Sequence, residues 1–171
     1  MNFEALNRFM SEENIRRHEG YLKNQRLRLS ILEKSGINVI GKSIREIRRM
    51  NMDARLKRQI LELKIGIESH ERFFDSFAVN QNNSSRNEKL LYDIFKVAME
   101  TDHGFLYVYS NGQGLATSTD IPNCADFICI DLFEHCYFLD YGFKKDLFLR
   151  NALAYFDIGR VLDNSSNKRY N

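Results

Sequence analysis

The stretch CIDLFEHCYFLDY, Cys129 to Tyr141, decides how this chain is read. Together with Phe127 and Ile128 before it, it opens as a short apolar run, FICI, which has the length and composition of a buried strand. The run delivers Asp131, and His135 follows four residues later. If a helix starts between them, the i, i+4 spacing lets both side chains converge on one point. A carboxylate at the end of a buried strand needs partners, because burying a charge alone is costly. The histidines elsewhere in the chain are the candidates.

Working back toward the N-terminus, Ser11 reads as a helix N-cap, with Glu12 and Glu13 well placed in the first turn. The long helix that follows carries Ile15, His18, Leu22, Leu29 and Leu32 on one stripe, and Gly36 suits its C-terminal end. A short basic helix, about Ser43 to Met50, leads to a second long helix. There Leu56, Ile60, Leu63, Ile67, His70, Phe74 and Phe77 step by four and three. Two long helices with a modest connection predict an antiparallel hairpin. The polar run NQNNSSRN, Asn80 to Asn87, marks a boundary between residues 1–80, the helical hairpin, and residues 84–171.

The second part begins with a helix from about Ser85 to Glu100. Its apolar stripe is Leu90, Leu91, Ile94, Phe95 and Ala98. Past Gly104 the texture becomes β-branched and aromatic: FLYVY, a turn at SNGQG, LATST, and then FICIDL. Glu134 to Val161 reads as helical, and the tail DNSSNKRYN as loose. The expected fold class is α+β: a long antiparallel helical hairpin, then a small α/β half with a three-stranded antiparallel sheet.

Bulk numbers narrow the function classes. At 171 residues, 43% apolar and 28% charged, the chain is a globular domain and not a disordered one. Its apolar runs are far shorter than the roughly 20 residues a bilayer-spanning helix needs. Met1 to Phe9 lacks a basic start followed by an apolar block, which predicts a cytoplasmic protein without membrane attachment. Cys124, Cys129 and Cys136 are odd in number and at unpaired spacings, so they read as free thiols packed as small hydrophobes. The net charge is only +2, but residues 1–64 hold 15 lysines and arginines against 8 acidic residues. Such a surplus attracts anions. The arginines are interleaved with Glu12, Glu13, Glu19 and Glu46, and no nucleic-acid reader motif accompanies them, so nucleic acid is not the expected partner.

Two histidines, His18 and His70, occupy the inner stripes of the two long helices near mid-hairpin. With Asp131 and His135 they make three imidazoles and one carboxylate, a set suited to iron, manganese or zinc. His103 lies on no stripe and reads as a surface residue.

At these residues the chain resembles the iron/manganese superoxide dismutase family. The family signature DxWEHAYY reads here as DLFEHCYF, Asp131 to Phe138, and the following FLDYGFKKDLFLRNALAYFDIGRV aligns without a gap. SEENIRRHEG is similar to the family stretch that bears the first metal histidine, and GIESHERFF to the stretch that bears the second. The resemblance implies one manganese or iron ion per chain on His18, His70, Asp131 and His135. It implies superoxide, or another small redox molecule, as the substrate. It also implies a homodimer in which Glu134 reaches the partner's metal histidine. Departures accompany it. The family's gateway tyrosine falls at Arg26, its gateway histidine at Leu22, and the tyrosine that reaches that histidine at Phe138. Phe133 replaces the signature tryptophan, and the chain has no tryptophan at all. A glutamine bonded to the metal's solvent falls at Gly66 in the iron branch of the family. Gln113, Asp120 and Asn123 match its manganese-branch equivalent by residue type only. The alternative expectation is a metal-binding protein of the same fold that does not dismute superoxide.

Overall fold

A computed structural model describes residues 3–79, 85–111, 113–124 and 126–162. Residues 80–84 of the polar boundary and the tail from 163 onward lie outside the described residues. The chain is α+β. Helix α1, Phe3–Leu6, precedes α2, Glu12–Lys34; then come α3, Ile44–Arg49, and α4, Ala54–Asp75. After α5, Ser85–Glu100, the strands are β1, Phe105–Ser110, β2, Leu115–Ser118, and β3, Phe127–Asp131; α6, Glu134–Tyr141, and α7, Lys145–Leu153, follow.

The long helices begin where local chemistry satisfies their free N–H groups. Ser11 Oγ accepts from the Asn14 N–H, and Asp53 from the Leu56 N–H. Ser43 and Glu46 form a reciprocal capping box at the start of α3. Helix α2 stops at Gly36, whose φ of 91° suits a residue without a Cβ. His18 lies by His70, Gln25 lies against Gly66, and Leu29 and Leu32 share a cluster with Ile60. Rising numbers on α2 therefore meet falling numbers on α4, which is an antiparallel pair.

The sheet order is β2-β1-β3, antiparallel throughout, with Phe105 opposite Asp131 and Leu106 opposite Ile130. All of β3 is buried, because both of its faces are covered. Leu106, Val108, Ile128 and Ile130 join the main core, while Tyr107, Phe127 and Cys129 pack on the other face. That main core takes Phe9, Leu22, Phe73 and Phe74 from the first part of the chain and Ile94, Phe148 and Phe156 from the second. Backbone bonds from Ala78 N–H to Tyr155 C=O and from Asp157 N–H to Ser76 C=O, both 2.8 Å, join the two parts directly. A second, smaller cluster of Val39, Ile47 and Ile60 closes the far end of the hairpin against α3.

Helix α1 has no counterpart in the sequence reading; a single turn is too short to show periodicity. The expected helical stretch from Glu134 to Val161 is broken at Gly142, whose φ is 58°, and again after Leu153. A glycine in that conformation ends a helix, since a residue with a Cβ is strained there.

Candidate metal centre

Each of the four expected ligands sits where a local interaction aims it. Helix α2 is tied to α6 by Asn14, whose Nδ2 donates to Cys136 C=O at 2.7 Å and to Asp140 Oδ2 at 2.9 Å. This fixes His18 one turn further along α2 relative to His135 near the start of α6. Helix α4 is tied to the sheet twice. Ser76 Oγ accepts from the Cys129 N–H at 2.8 Å, and Ser69 Oγ pairs with the Tyr107 hydroxyl at 2.6 Å. These buried links hold His70 in register with Asp131. The turn from β3 into α6 is closed by Asp131 itself, whose Oδ1 accepts from the Phe133 N–H at 2.8 Å.

The other oxygen, Asp131 Oδ2, faces three imidazoles. It lies 3.1 Å from His18 Nε2, 3.5 Å from His70 Nε2 and 3.2 Å from His135 Nε2. The His70 and His135 Nε2 atoms are 3.5 Å apart. One donor atom from each of the four residues lies within 4.8 Å of every other. Ligand bonds near ~2.1 Å around one ion place neighbouring donors at about these separations. The orientation agrees. His18 Nε2 and Asp131 Oδ2 are close and buried, yet neither makes a hydrogen bond of acceptable angle. Lone pairs aimed at a shared empty point, rather than at each other, give that arrangement. His70 Nδ1–H donates to Gly66 C=O at 2.5 Å, which leaves Nε2 with its lone pair toward the same point. The group can hold a metal ion.

Protonation suits the same role. Burial pushes the His70 imidazole down to about 4, against the raising effect of Asp131, so it is neutral at pH 7. Burial alone would raise the Asp131 carboxyl. The close approach of the His135 and His18 imidazoles outweighs it and holds the group below the usual carboxylate range. Ligation needs a neutral imidazole and an ionised carboxylate.

The rear of the centre is closed. The His18 ring stacks on Phe73 at 5.2 Å and meets the edge of Phe74 at 5.3 Å. The front opens into a cleft of about 680 Å³ between α2 and α4, where His70, His135, Tyr21, Phe105 and Phe133 form one end. The Tyr21 ring lies 5.2 Å from His70 and 5.0 Å from His135. Phe133 stacks on His135 at 5.5 Å.

Other expected site residues lie elsewhere. Arg26 does not line this cleft. It is exposed, pairs with Glu71 at 2.5 Å, and borders a separate shallow cavity with Glu19 and Asp75. At i+8 from His18 it has rotated off the face that looks along the cleft; the residues that do are at i+3 and i+7, Tyr21 and Gln25. Leu22 is core. Phe138 is exposed on α6, and Glu134 is exposed at its first position. Gln113, Asp120 and Asn123 are exposed in the strand connections and do not line the cleft. His103 is exposed, and Cys129 and Cys136 are buried thiols. Among the basic residues, Arg8, Arg16 and Arg17 pair with Glu4, Glu12 and Glu13 along their own helices, as expected of a solvated face. Gln25 was missed. The stripe Ile15, His18, Leu22, Leu29, Leu32 skips one step, and position 25 is the step it skips. A buried polar residue in an apolar stripe was the available signal.

The chain matches no model of a known protein family, and no curated protein matches it. Among the described residues, no helix is long and apolar enough to cross a membrane.

Proposed function

We propose that this protein is a mononuclear metal protein of the iron/manganese superoxide dismutase type. Its reaction would turn two superoxide anions and two protons into one oxygen and one hydrogen peroxide. The observation that supports this best is the convergence of His18, His70, Asp131 and His135 on one point, closed behind by Phe73 and Phe74 and open in front. Iron or manganese, bound there, supplies a one-electron couple between its 3+ and 2+ states. The chain's own part is electrostatic. Asp131 stays ionised and lends its negative charge to the centre, which favours the higher oxidation state. His70 stays neutral with its ligating nitrogen free, because Gly66 C=O holds the other nitrogen's proton. His135, the ligand with an exposed side chain, forms the side from which a small molecule approaches. A homodimer that buries the exposed α6 surface around Glu134 and Phe138 belongs to the same reading.

A second reading is a metal-binding protein of this fold without dismutation. It is favoured by Arg26, which lies outside the cleft, and by Leu22, which lies in the core. Neither provides a polar gate. Elemental analysis of protein purified without chelator, beside the His135→Ala variant, separates the readings when the same samples are assayed for superoxide removal. About one iron or manganese per chain, lost in the variant, with rapid superoxide removal supports the enzyme. The same metal without activity leaves the binding protein. Absence of metal from both samples overturns both.

A further inference from the structure

The cleft is far too large for a two-atom substrate alone. Superoxide needs little more than the roughly 30 Å³ share of one water molecule, whereas the cavity measures about 680 Å³. Sites for organic molecules span about 300–1,000 Å³. The lining runs from His70 at one end to Gln59 at the other, roughly 16 Å along α4 at 1.5 Å per residue. Its two ends are held by different cores: Leu22 and Phe74 belong to the main one, Leu29 and Ile60 to the distal one. The gap between them is thus braced on both sides.

Its chemistry is graded. Aromatic rings of Tyr21, Phe105 and Phe133 surround the imidazole end, and aliphatic Ile31, Leu32 and Leu63 line the other together with Arg28, Gln59 and Glu62. Between them lies Gln25, 9% exposed, whose Oε1 has no hydrogen-bond partner. Its amide rests on Gly66, where an added Cβ would stand 2.7 Å from Nε2. Glycine at 66 therefore makes the room that a cross-helix amide occupies. A buried amide with an unused acceptor is costly unless something pairs with it. Rotation of the terminal amide presents either its oxygen or its nitrogen, and a hydroxyl serves both, since it donates and accepts.

The geometry points to a binding site for a planar hydroxyaromatic molecule in the α2–α4 cleft, its ring among Tyr21, Phe105 and Phe133 and its hydroxyl on the Gln25 amide. Binding is a property of the cleft and stands whether or not the adjoining centre dismutes superoxide.

The test titrates the full, metal-free chain with 2-naphthol, followed by naphthol fluorescence, and with 2-methylnaphthalene as the analogue that lacks the hydroxyl. One saturable 2-naphthol site per chain is expected. Gln25→Leu, which replaces the amide by a shorter apolar side chain, should weaken 2-naphthol about tenfold and leave 2-methylnaphthalene within about twofold. Ile31→Trp, at an exposed position on the cleft wall, should abolish both while circular dichroism stays unchanged. Absence of saturable binding at millimolar 2-naphthol overturns the proposal, as does equal weakening of both probes by Gln25→Leu. Sedimentation that shows a dimer broken by Ile31→Trp, with no probe bound, would also overturn it and give the cleft to a second copy of the chain.

Discussion

The two walls of the candidate centre differ in every physical respect. The rear wall, His18 and Asp131, is fully buried, with the His18 ring packed on Phe73 and Phe74 and Asp131 Oδ1 accepting from the Phe133 N–H. The front wall, His135 with Tyr21 beside it, is part-exposed and faces open space. The contrast teaches that position and access are separate tasks. The core aims the ligands, and the helix hairpin, by gaping between its two clusters, lets molecules reach them.

The largest expected effect comes from the residue that both walls share. Asp131→Ala should lower metal affinity by about a hundredfold or more, because Oδ2 is the one donor in reach of all three imidazoles. Equilibrium dialysis against manganese, with metal content read by elemental analysis, checks it. Retention of wild-type affinity would dissolve the idea of one shared centre.

Acid should act next, through His70. Its folded value is about 4 and its ordinary value 6.5, so between those values the unfolded chain binds a proton that the folded chain does not. Stability of the metal-free protein is therefore complete above pH 6.5 and declines as pH falls toward 4, by an amount on the order of 3 kcal/mol. Urea unfolding of wild type and His70→Gln at both ends of that window measures it. The variant should show a flatter dependence.

The walls themselves can be compared through His18→Ala and His135→Ala. Both should remove the metal. In the metal-free state the first should cost about 2 kcal/mol, because a ring packed on Phe73 and Phe74 is deleted. The second should cost less than about 1 kcal/mol, because its side chain is already part-exposed. Equal losses in thermal unfolding would mean that the front is as tightly packed as the rear. The smallest effect belongs to Arg26→Ala. An exposed ion pair with Glu71 is worth under about 1 kcal/mol, and metal content should not change. A lost metal would return Arg26 to the site.

Much of this molecule was legible in one dimension. Ser11 with Glu12 and Glu13, the four-three steps from Leu56 to Phe77, and the change of texture after Gly104 are local signals. Helix caps, hydrophobic period and β-branched composition act within a few residues, so the long helices, the three strands and the order of His18, His70, Asp131 and His135 could be read without coordinates. The break at Gly142 went unread because a lone glycine inside an apolar pattern does not reveal its φ. The cleft could not be read at all. The stripe points Gln25 inward and Arg26 about 100° away from it, but whether that inward face meets packed core or an open cleft depends on how α2 is set against α4. That setting is fixed by Asn14 gripping α6, Ser76 gripping β3 and the missing Cβ at Gly66. Sequence alone determined which side chains this protein has for holding an ion; only tertiary packing, which sums contacts between segments distant in the chain, decided which of them face one another and which face an open cleft.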